Sequence, residues 1–126
     1  MVIIMDCLFC KIINGEIPSK TLYEDDDVKV IMDINPDSNG HCLIIPKKHY
    51  ITFEDLDDEI LIIVNKTAKE IKKYIDKALN PDGYKITVNY GISQLIKHYH
   101  LHVIPVYKNN NLKDIEEIYQ KIKDVM

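Results

Sequence analysis

The sequence predicts an α+β domain in which short strands form an antiparallel sheet beside one long helix. From Asp55 to Leu79, apolar residues recur at the three- and four-residue spacing of an amphipathic helix, with lysines and acids on the opposite face. The other apolar segments are mostly short, rich in valine and isoleucine, and bounded by turn-forming residues, which favours strands. Strands that follow one another through tight turns pair antiparallel, so the order of these segments predicts an antiparallel sheet.

The individual elements follow from the same signals. Strands are predicted at residues 23–24, 28–34, 41–45, 84–89 and 98–105. A short helix is predicted over residues 7–13, because Asn14 and Gly15 are residues that end helices. A last helix is predicted over residues 112–125, because its apolar residues fall on one stripe.

Length and charge restrict the organisation and the class of partner. The 126 residues, 46% of them hydrophobic, are enough for one domain with a proper core. The 20 acidic residues outnumber the 16 basic ones, the net charge is −4, and the basic residues are scattered. Since a protein that binds the nucleic-acid backbone needs a basic patch, no nucleic-acid partner is expected.

The chain carries no pattern typical of export or of a membrane span. The apolar segment at residues 2–4 is too short for a signal-peptide core, and no run of about 18 apolar residues occurs. Three cysteines, an odd number, fit a reducing compartment with free thiols or a metal site. We therefore expect a soluble, cytoplasmic protein without membrane contact.

Three histidines at alternate positions, His98, His100 and His102, are the strongest chemical signal. Alternate residues of a strand share a face, so these rings are expected on one face. The outer two are about 13 Å apart on a straight strand, so one metal ion needs a bend in the chain to bind all three. The row predicts a ligand groove or divided roles, with a catalytic metal ion held by the histidines as the alternative.

The histidine row belongs to a longer ordered pattern. Residues 98–104 have the form His-φ-His-φ-His-φ-φ, where φ is apolar and Tyr99 is a mild departure. This segment resembles the signature of the histidine-triad (HIT) nucleotide hydrolases and transferases. Further blocks resemble the Hint branch of that family, at residues 7–20, 23–26, 33–36, 40–41 and 45–49. The chain is thereby identified as a single HIT domain over residues 1–126, with the core at 7–105 and a helical tail at 106–126.

The resemblance implies a HIT-like fold, with a five-stranded antiparallel sheet, one long helix, a short N-terminal helix and a C-terminal helix. It also implies a homodimer and a purine nucleotide as ligand. The implied reaction is hydrolysis at the α-phosphate of nucleoside 5′-phosphoramidates or adenylates through a nucleotidyl-histidine intermediate. Hydrolysis of dinucleoside polyphosphates and a regulatory nucleotide-binding module with weak catalysis are the alternatives.

The resemblance also assigns roles to individual residues. His100 is the expected nucleophile, since a neutral imidazole attacks phosphorus well near pH 7. His102 is expected to contact the phosphate oxygens and to help the leaving group accept a proton. Asp33 matches the carboxylate that binds the ribose hydroxyls, with a turn cap as the alternative. The other expected substrate contacts are the amides of Asn89 and Gln94, the supporting ring of His41, and the apolar base walls Leu8, Phe9, Ile12 and Ile34, for which core packing is the alternative.

Two cysteines, Cys7 and Cys10, have a spacing that serves both redox pairs and zinc sites. In related proteins such a pair joins two histidines around a structural zinc ion, and the matching residues here are His49 and His98. Two thiolates and two imidazoles complete a tetrahedral site with no open position for substrate. We therefore expect a structural zinc ion and no organic cofactor, with reduced, metal-free cysteines as the alternative. His98 would then belong to both the catalytic triad and the metal site.

The leaving-group side departs from the family pattern. Leu95 stands where Hint proteins often have a hydroxyl or an acid after the glutamine. The loop from Asn89 to Gln94 is also shorter than the matching loop of close relatives. The resemblance therefore implies a purine nucleotide but defines neither the base nor the leaving group.

Overall fold

The computed structural model describes residues 7–126, so the short apolar segment at residues 2–4 lies outside the described residues. The strands are β1 (Thr21–Glu24), β2 (Val28–Met32), β3 (Cys42–Pro46), β4 (Gly83–Thr87) and β5 (Leu101–Val106). The α-helices of this part of the chain are α1 (Leu8–Ile13), α2 (Asp58–Leu79) and α3 (Ile115–Lys123). The predicted α+β architecture, with a five-stranded sheet, one long helix and two shorter ones, is confirmed.

All neighbouring strands pair antiparallel, in the order β1-β2-β3-β5-β4. The first three strands follow one another through short connections, and the β4-β5 pair joins them after the long helix. The pairing of β5 with β3 places His102 opposite Leu43. The histidine segment therefore enters the middle of the sheet rather than its edge.

The ends of the helices follow capping interactions. α2 begins at Asp58, later than predicted, because Thr52 and Asp55 cap a short 3₁₀ turn that precedes it. It ends at Leu79, as predicted, where Asn80 takes a positive φ of 47°. None of the helices in the described part of the chain is both long and apolar enough to cross a bilayer.

The prediction that all three histidines lie on one strand is wrong. β5 includes His102, but the other two histidines precede it. The ring Nε2–H of His98 donates to the carbonyl of Pro46 (2.8 Å), and the backbone N–H of Tyr99 donates to the carbonyl of Tyr50 (2.7 Å). These contacts with the end of β3 and the segment after it turn the chain before the strand begins, so only His102 belongs to the sheet. The rings of His98 and His100 both lie against Phe9 of α1, and the rings of His100 and His102 line the same cleft.

The alternation of side chains along the strands gives the sheet two unlike faces. Val30, Ile44 and Val103 pack in the core cluster that includes α2 and α3. Leu43 belongs to the cluster on the other face, together with α1. Because neighbouring residues of a strand point to opposite faces, His102 lies on the α1 face. The candidate site is therefore built between the sheet and the short helix.

Candidate active site and metal cluster

A cleft of about 510 Å³ lies between α1 and the ends of the central strands. Pockets of this size accept small molecules such as nucleotides. Of the predicted site residues, those that line it are Leu8, Phe9, Ile12, Asp33, Ile34, His41, Asn89, His100 and His102. The structure thus brings together most of the residues that the motifs selected, from five separate segments of the chain.

His100 presents a defined ring nitrogen in this cleft. Its Nδ1 lies 2.8 Å from the carbonyl oxygen of His98. A carbonyl can only accept, so Nδ1 carries the proton and Nε2 keeps its lone pair. The ring is buried and packs edge to face with Phe9, with ring centroids 4.8 Å apart. Burial lowers the pKa of His100, which favours the neutral imidazole.

His41 and His102 form a hydrogen-bonded pair beside His100. Nε2 of His41 lies 2.9 Å from Nδ1 of His102 and 3.4 Å from the carboxylate of Asp33. The backbone N–H of Asp37 donates to Nδ1 of His41 (3.0 Å). Burial lowers the pKa of His41, and it lowers the pKa of His102 to about 4. Burial thus favours the neutral form of both rings.

Asp33 caps a turn and also lines the cleft. Its Oδ1 accepts the backbone N–H of Asn35 (2.8 Å), which caps the turn after β2. Its other oxygen, Oδ2, lies 3.4 Å from Nε2 of His41, and the residue lines the cleft. A carboxylate has more lone pairs than these contacts use, so Asp33 retains the capacity to accept from hydroxyl groups in the cleft.

The four apolar residues predicted as base walls differ in burial. Phe9 and Ile12 are buried and belong to the core cluster between α1 and the sheet, so they serve as core and as wall. Leu8 and Ile34 are 38% and 79% exposed. A buried floor with exposed apolar residues at its rim suits a flat aromatic ring.

The two predicted amides have different surroundings. Asn89 lines the cleft, with Nδ2 3.5 Å from Nε2 of His102. Gln94 is buried, and its Nε2 donates to the carbonyl of Ile51. The next residue, Leu95, is 89% exposed and lines the cleft. The contact of Gln94 with substrate stays a prediction.

A second cluster lies at the N-terminus of α1. Its members Cys7, Cys10, His49 and His98 each offer one ligand atom, and these atoms lie within 4.8 Å of one another. Nδ1 of His98 is 3.3 Å from Sγ of Cys7, 3.6 Å from Sγ of Cys10 and 3.1 Å from Nδ1 of His49. In a tetrahedral zinc site, sulfur and nitrogen ligands are about 3.5 Å apart and two nitrogens about 3.3 Å. The donor set therefore fits a zinc ion with four protein ligands.

Surrounding hydrogen bonds orient these ligands. Because Nε2–H of His98 donates to the carbonyl of Pro46, Nδ1 is the ring atom that can bind a metal. Sγ of Cys7 accepts the backbone N–H of Cys10 (3.3 Å) and so caps α1. Burial lowers the pKa of His98 to about 4. His98 also links the two sites, because its ring belongs to the cluster while its carbonyl orients His100.

Sequence reasoning missed the contact between Asp37 and His41. The contact uses a backbone N–H, which every residue except proline has, so no side-chain pattern reveals it. Other cleft residues that were not predicted include Ile17, Ser19, Thr87, Ser93 and Ile96. They lie within or near the segments that carry the motifs, and this proximity is the signal that could have found them.

Comparison with known proteins shows the family. The HIT domain family model matches residues 14–109. A HIT-like protein of Methanocaldococcus jannaschii is 42% identical over 129 residues, which cover 93% of this chain and 98% of that protein. An adenylylsulfatase of Arabidopsis thaliana is 45% identical over 102 residues, which cover 79% of this chain and 52% of that protein, about half its length. An adenosine 5′-monophosphoramidase of Schizosaccharomyces pombe is 37% identical over 103 residues, which cover 80% of this chain and 74% of that protein.

Solved structures have the same fold. A HIT-like protein of Bartonella henselae matches with a TM-score of 0.87 at 37% identity, covering 99% of this chain and 100% of that one. A zinc-bound histidine triad family protein of Mycobacterium smegmatis matches with a TM-score of 0.88 at 31% identity, covering 96% of this chain and 93% of that one. These matches confirm the predicted HIT-like fold. The chain therefore belongs to the histidine-triad (HIT) family, as the order of its motifs indicated.

Proposed function

We propose that the protein is a phosphoramidase-type hydrolase that acts at the α-phosphate of purine nucleoside 5′-phosphoramidates or adenylates. The observation that carries the proposal is the orientation of His100. Its Nδ1–H is bonded to the carbonyl of His98 at 2.8 Å, which leaves an unprotonated Nε2 on a ring that lines a nucleotide-sized cleft. The relatives named adenosine 5′-monophosphoramidase and adenylylsulfatase support the same class of reaction.

The reaction consists of two displacements at phosphorus. In the first, Nε2 of His100 forms a bond to the α-phosphorus, and the bond to the leaving group breaks. The leaving group takes the electron pair and receives a proton from water. In the second, water attacks the nucleotidyl-imidazole, the P–N bond breaks, Nε2 regains its lone pair, and the attacking water releases its proton to solvent. His102 and Asn89 contact the phosphate oxygens during both steps.

The nucleoside part of the substrate is held by the other cleft residues. The carboxylate of Asp33 accepts hydrogen bonds from the ribose hydroxyls, since an ionised carboxylate is an acceptor only. Phe9 and Ile12 form the buried wall against the base, and Leu8 and Ile34 cover its solvent side. An apolar slot of this kind binds a purine mainly through its flat faces.

The second cluster belongs to the proposal as a structural zinc site. Cys7, Cys10, His49 and His98 would hold the ion, and the zinc-bound relative supports this assignment. A bound zinc ion supplies a cross-link and no open coordination position. Since thiolate ligands persist in a reducing compartment, we also place the protein in the cytoplasm.

A homodimer through β4 completes the proposal. β4 is an edge strand of the sheet, and the apolar side chains of Ile86 and Tyr90 on and after it are 48% and 56% exposed. An edge strand with exposed apolar side chains favours pairing with a second copy. The proposed dimer therefore joins two sheets at this edge.

A fluorogenic adenosine 5′-phosphoramidate tests the proposed reaction. Wild-type protein should release the fluorescent amine, and mass spectrometry after a quench in base should find adenylate on His100. The His100→Asn variant should bind AMP but have a kcat lower by about 1000-fold or more. Ile62→Asn, on the exposed side of α2, is the matched control and should keep wild-type turnover.

Two results would contradict the proposal. One is turnover that persists in His100→Asn, and the other is an adenylate label on a different residue. Guanosine phosphoramidates and dinucleoside polyphosphates, assayed in parallel, show which substrate the cleft prefers.

A further inference from the structure

Two contacts of His41 determine where its ring proton lies. Nδ1 of His41 is 3.0 Å from the backbone N–H of Asp37. A backbone amide can only donate, so Nδ1 accepts, and the neutral ring carries its proton on Nε2. This Nε2–H lies 2.9 Å from Nδ1 of His102 and 3.4 Å from a carboxylate oxygen of Asp33. The shorter distance makes His102 the main acceptor.

The tautomer of His102 follows from that of His41. Because Nδ1 of His102 accepts the proton of His41, a neutral His102 carries its own proton on Nε2. If Nδ1 of His102 donated to Nε2 of His41 instead, both ring nitrogens of His41 would accept and the ring would carry no proton. A buried imidazolate of this kind is far too costly near pH 7. Nε2 of His102 lies 3.5 Å from Nδ2 of Asn89, and both residues line the cleft. An amide nitrogen can only donate, so the Nε2–H tautomer goes with the Asn89 amide turned by 180°, with Oδ1 accepting from His102.

We propose that His41 is a positioning residue that selects the Nε2–H tautomer of His102 and thereby makes His102 a hydrogen-bond donor to the phosphate of the bound nucleotide. The inference rests on the proposed function for the identity of that anion. A donor aimed at the phosphate oxygens stabilises the charge that develops on them in each displacement. In the other tautomer, the lone pair of Nε2 would face those oxygens and repel them.

Two neighbouring histidines thus have opposite tautomers for opposite tasks. His100 has a carbonyl at Nδ1, which leaves a nucleophilic lone pair on Nε2. His102 has the N–H of His41 at Nδ1, which leaves a donor on Nε2. The chemical identity of the partner at Nδ1 therefore decides which ring attacks and which ring stabilises charge.

The same network limits what His102 does with its proton. A neutral His102 that gave away its Nε2 proton would become an imidazolate, since its Nδ1 carries none. In this scheme His102 donates a hydrogen bond and keeps its proton, while water supplies the proton to the leaving group. Proton delivery by His102, which the sequence suggested, is not part of the inference.

Long-range ¹H–¹⁵N spectra of histidine-labelled protein at pH 7 report the tautomer of each ring. Wild type should show Nε2–H on His41 and His102 and Nδ1–H on His100. AMP should shift the Nε2–H resonance of His102. The His41→Leu variant should place part of the His102 population in the Nδ1–H form, and kcat should fall about 10- to 100-fold with KM changed much less.

Two further variants separate positioning from packing. His41→Gln retains an N–H donor and an oxygen acceptor, so it should preserve the His102 tautomer and keep kcat within about tenfold of wild type. Cys42→Ala changes a buried neighbour on the opposite face of β3, and it should leave the tautomers and kcat unchanged. The wild-type and His41→Gln spectra test the inference even if His41→Leu does not fold.

Several results would overturn the inference. One is a wild-type His102 with its proton on Nδ1, and another is a His41→Leu protein that keeps the Nε2–H tautomer. A kcat that stays at the wild-type value while the tautomer shifts would also refute the positioning role. Absence of phosphoramidate turnover in wild type overturns the proposed function instead, and the AMP-induced shift at His102 then still decides whether its donor faces the phosphate.

Discussion

Removing the ion from the proposed zinc site should destabilise the fold while sparing the chemistry at His100. The perturbation is chelation, or the substitution Cys10→Ser. An ion that binds only the folded chain adds about 2.7 kcal/mol at a free concentration 100 times its Kd. With an unfolding entropy of about 2.1 cal/mol/K per residue, 126 residues contribute about 0.26 kcal/mol/K. The expected loss of Tm is therefore about 10 °C.

The structure explains why destabilisation, rather than unfolding, is expected. Phe9 and Ile12 anchor α1 in the core cluster on their own, so the helix stays packed when the metal is removed. The hydrogen bond that orients His100 is accepted by the backbone carbonyl of His98. The candidate metal ligand is the ring of His98, so loss of the ion leaves this carbonyl in place. At 25 °C, where the protein stays folded, kcat should remain within about fivefold of the loaded protein.

Calorimetry and zinc analysis check this prediction. Wild type should carry one zinc ion per chain, Cys10→Ser should carry less, and both Cys10→Ser and chelated wild type should show the lower Tm. Cys42→Ser is the matched control, because Cys42 is buried away from the cluster and should keep its zinc. An unchanged Tm after zinc removal would refute the reasoning. Loss of turnover at constant folded fraction would favour a catalytic metal ion instead.

Four further predictions concern the core, the ribose, acidity and assembly. Ile44→Ala should lower the free energy of unfolding by about 2–5 kcal/mol in urea titrations, because Ile44 is fully buried. At the exposed position 62, Ile62→Ala should change it by less than about 0.5 kcal/mol, and equal losses in the two variants would contradict the prediction. Asp33→Asn should raise KM about 10- to 100-fold with little change in kcat, because charged acceptors contribute about 1.5–3 kcal/mol; an unchanged KM would exclude the ribose contact. Burial lowers the pKa of His102 to about 4, so the unfolded chain binds more protons between pH 4 and 6.5. The free energy of unfolding should therefore fall as the pH drops through that range, by about 1–2 kcal/mol because His102 is partly exposed and solvent screens the cost of its charge. In His102→Asn, the free energy of unfolding should fall less over the same range. Ile86→Lys should convert a dimer to a monomer by light scattering, and a wild-type monomer would refute the interface.

Local signals predicted the elements of the fold well. The spacing of apolar residues marked α2, and its predicted end at Leu79 agrees with the structure because Asn80 takes the left-handed conformation. The predicted start was too early, because Thr52 and Asp55 cap a separate 3₁₀ turn before α2. The spacing of apolar residues does not reveal such a cap. Periodicity reports which face of a segment is buried, and capping decides where the segment ends.

The position of His98 could not be predicted in the same way. Alternation placed it on a strand with His100 and His102, but bonds to the segment around Pro46 and Tyr50 turn the chain before β5. These partners are distant in sequence and include backbone groups. A pattern within one segment contains no information about them.

Motif order alone was enough to name the family, the candidate nucleophile and the four candidate metal ligands, because chemical identity and spacing are properties of the chain itself. Which histidine nitrogen carries a proton depends on the third dimension. The carbonyl of His98 and the amide of Asp37 reach His100 and His41 only after the sheet and its loops have formed. Proton positions follow hydrogen-bond partners, and folding alone supplies those partners.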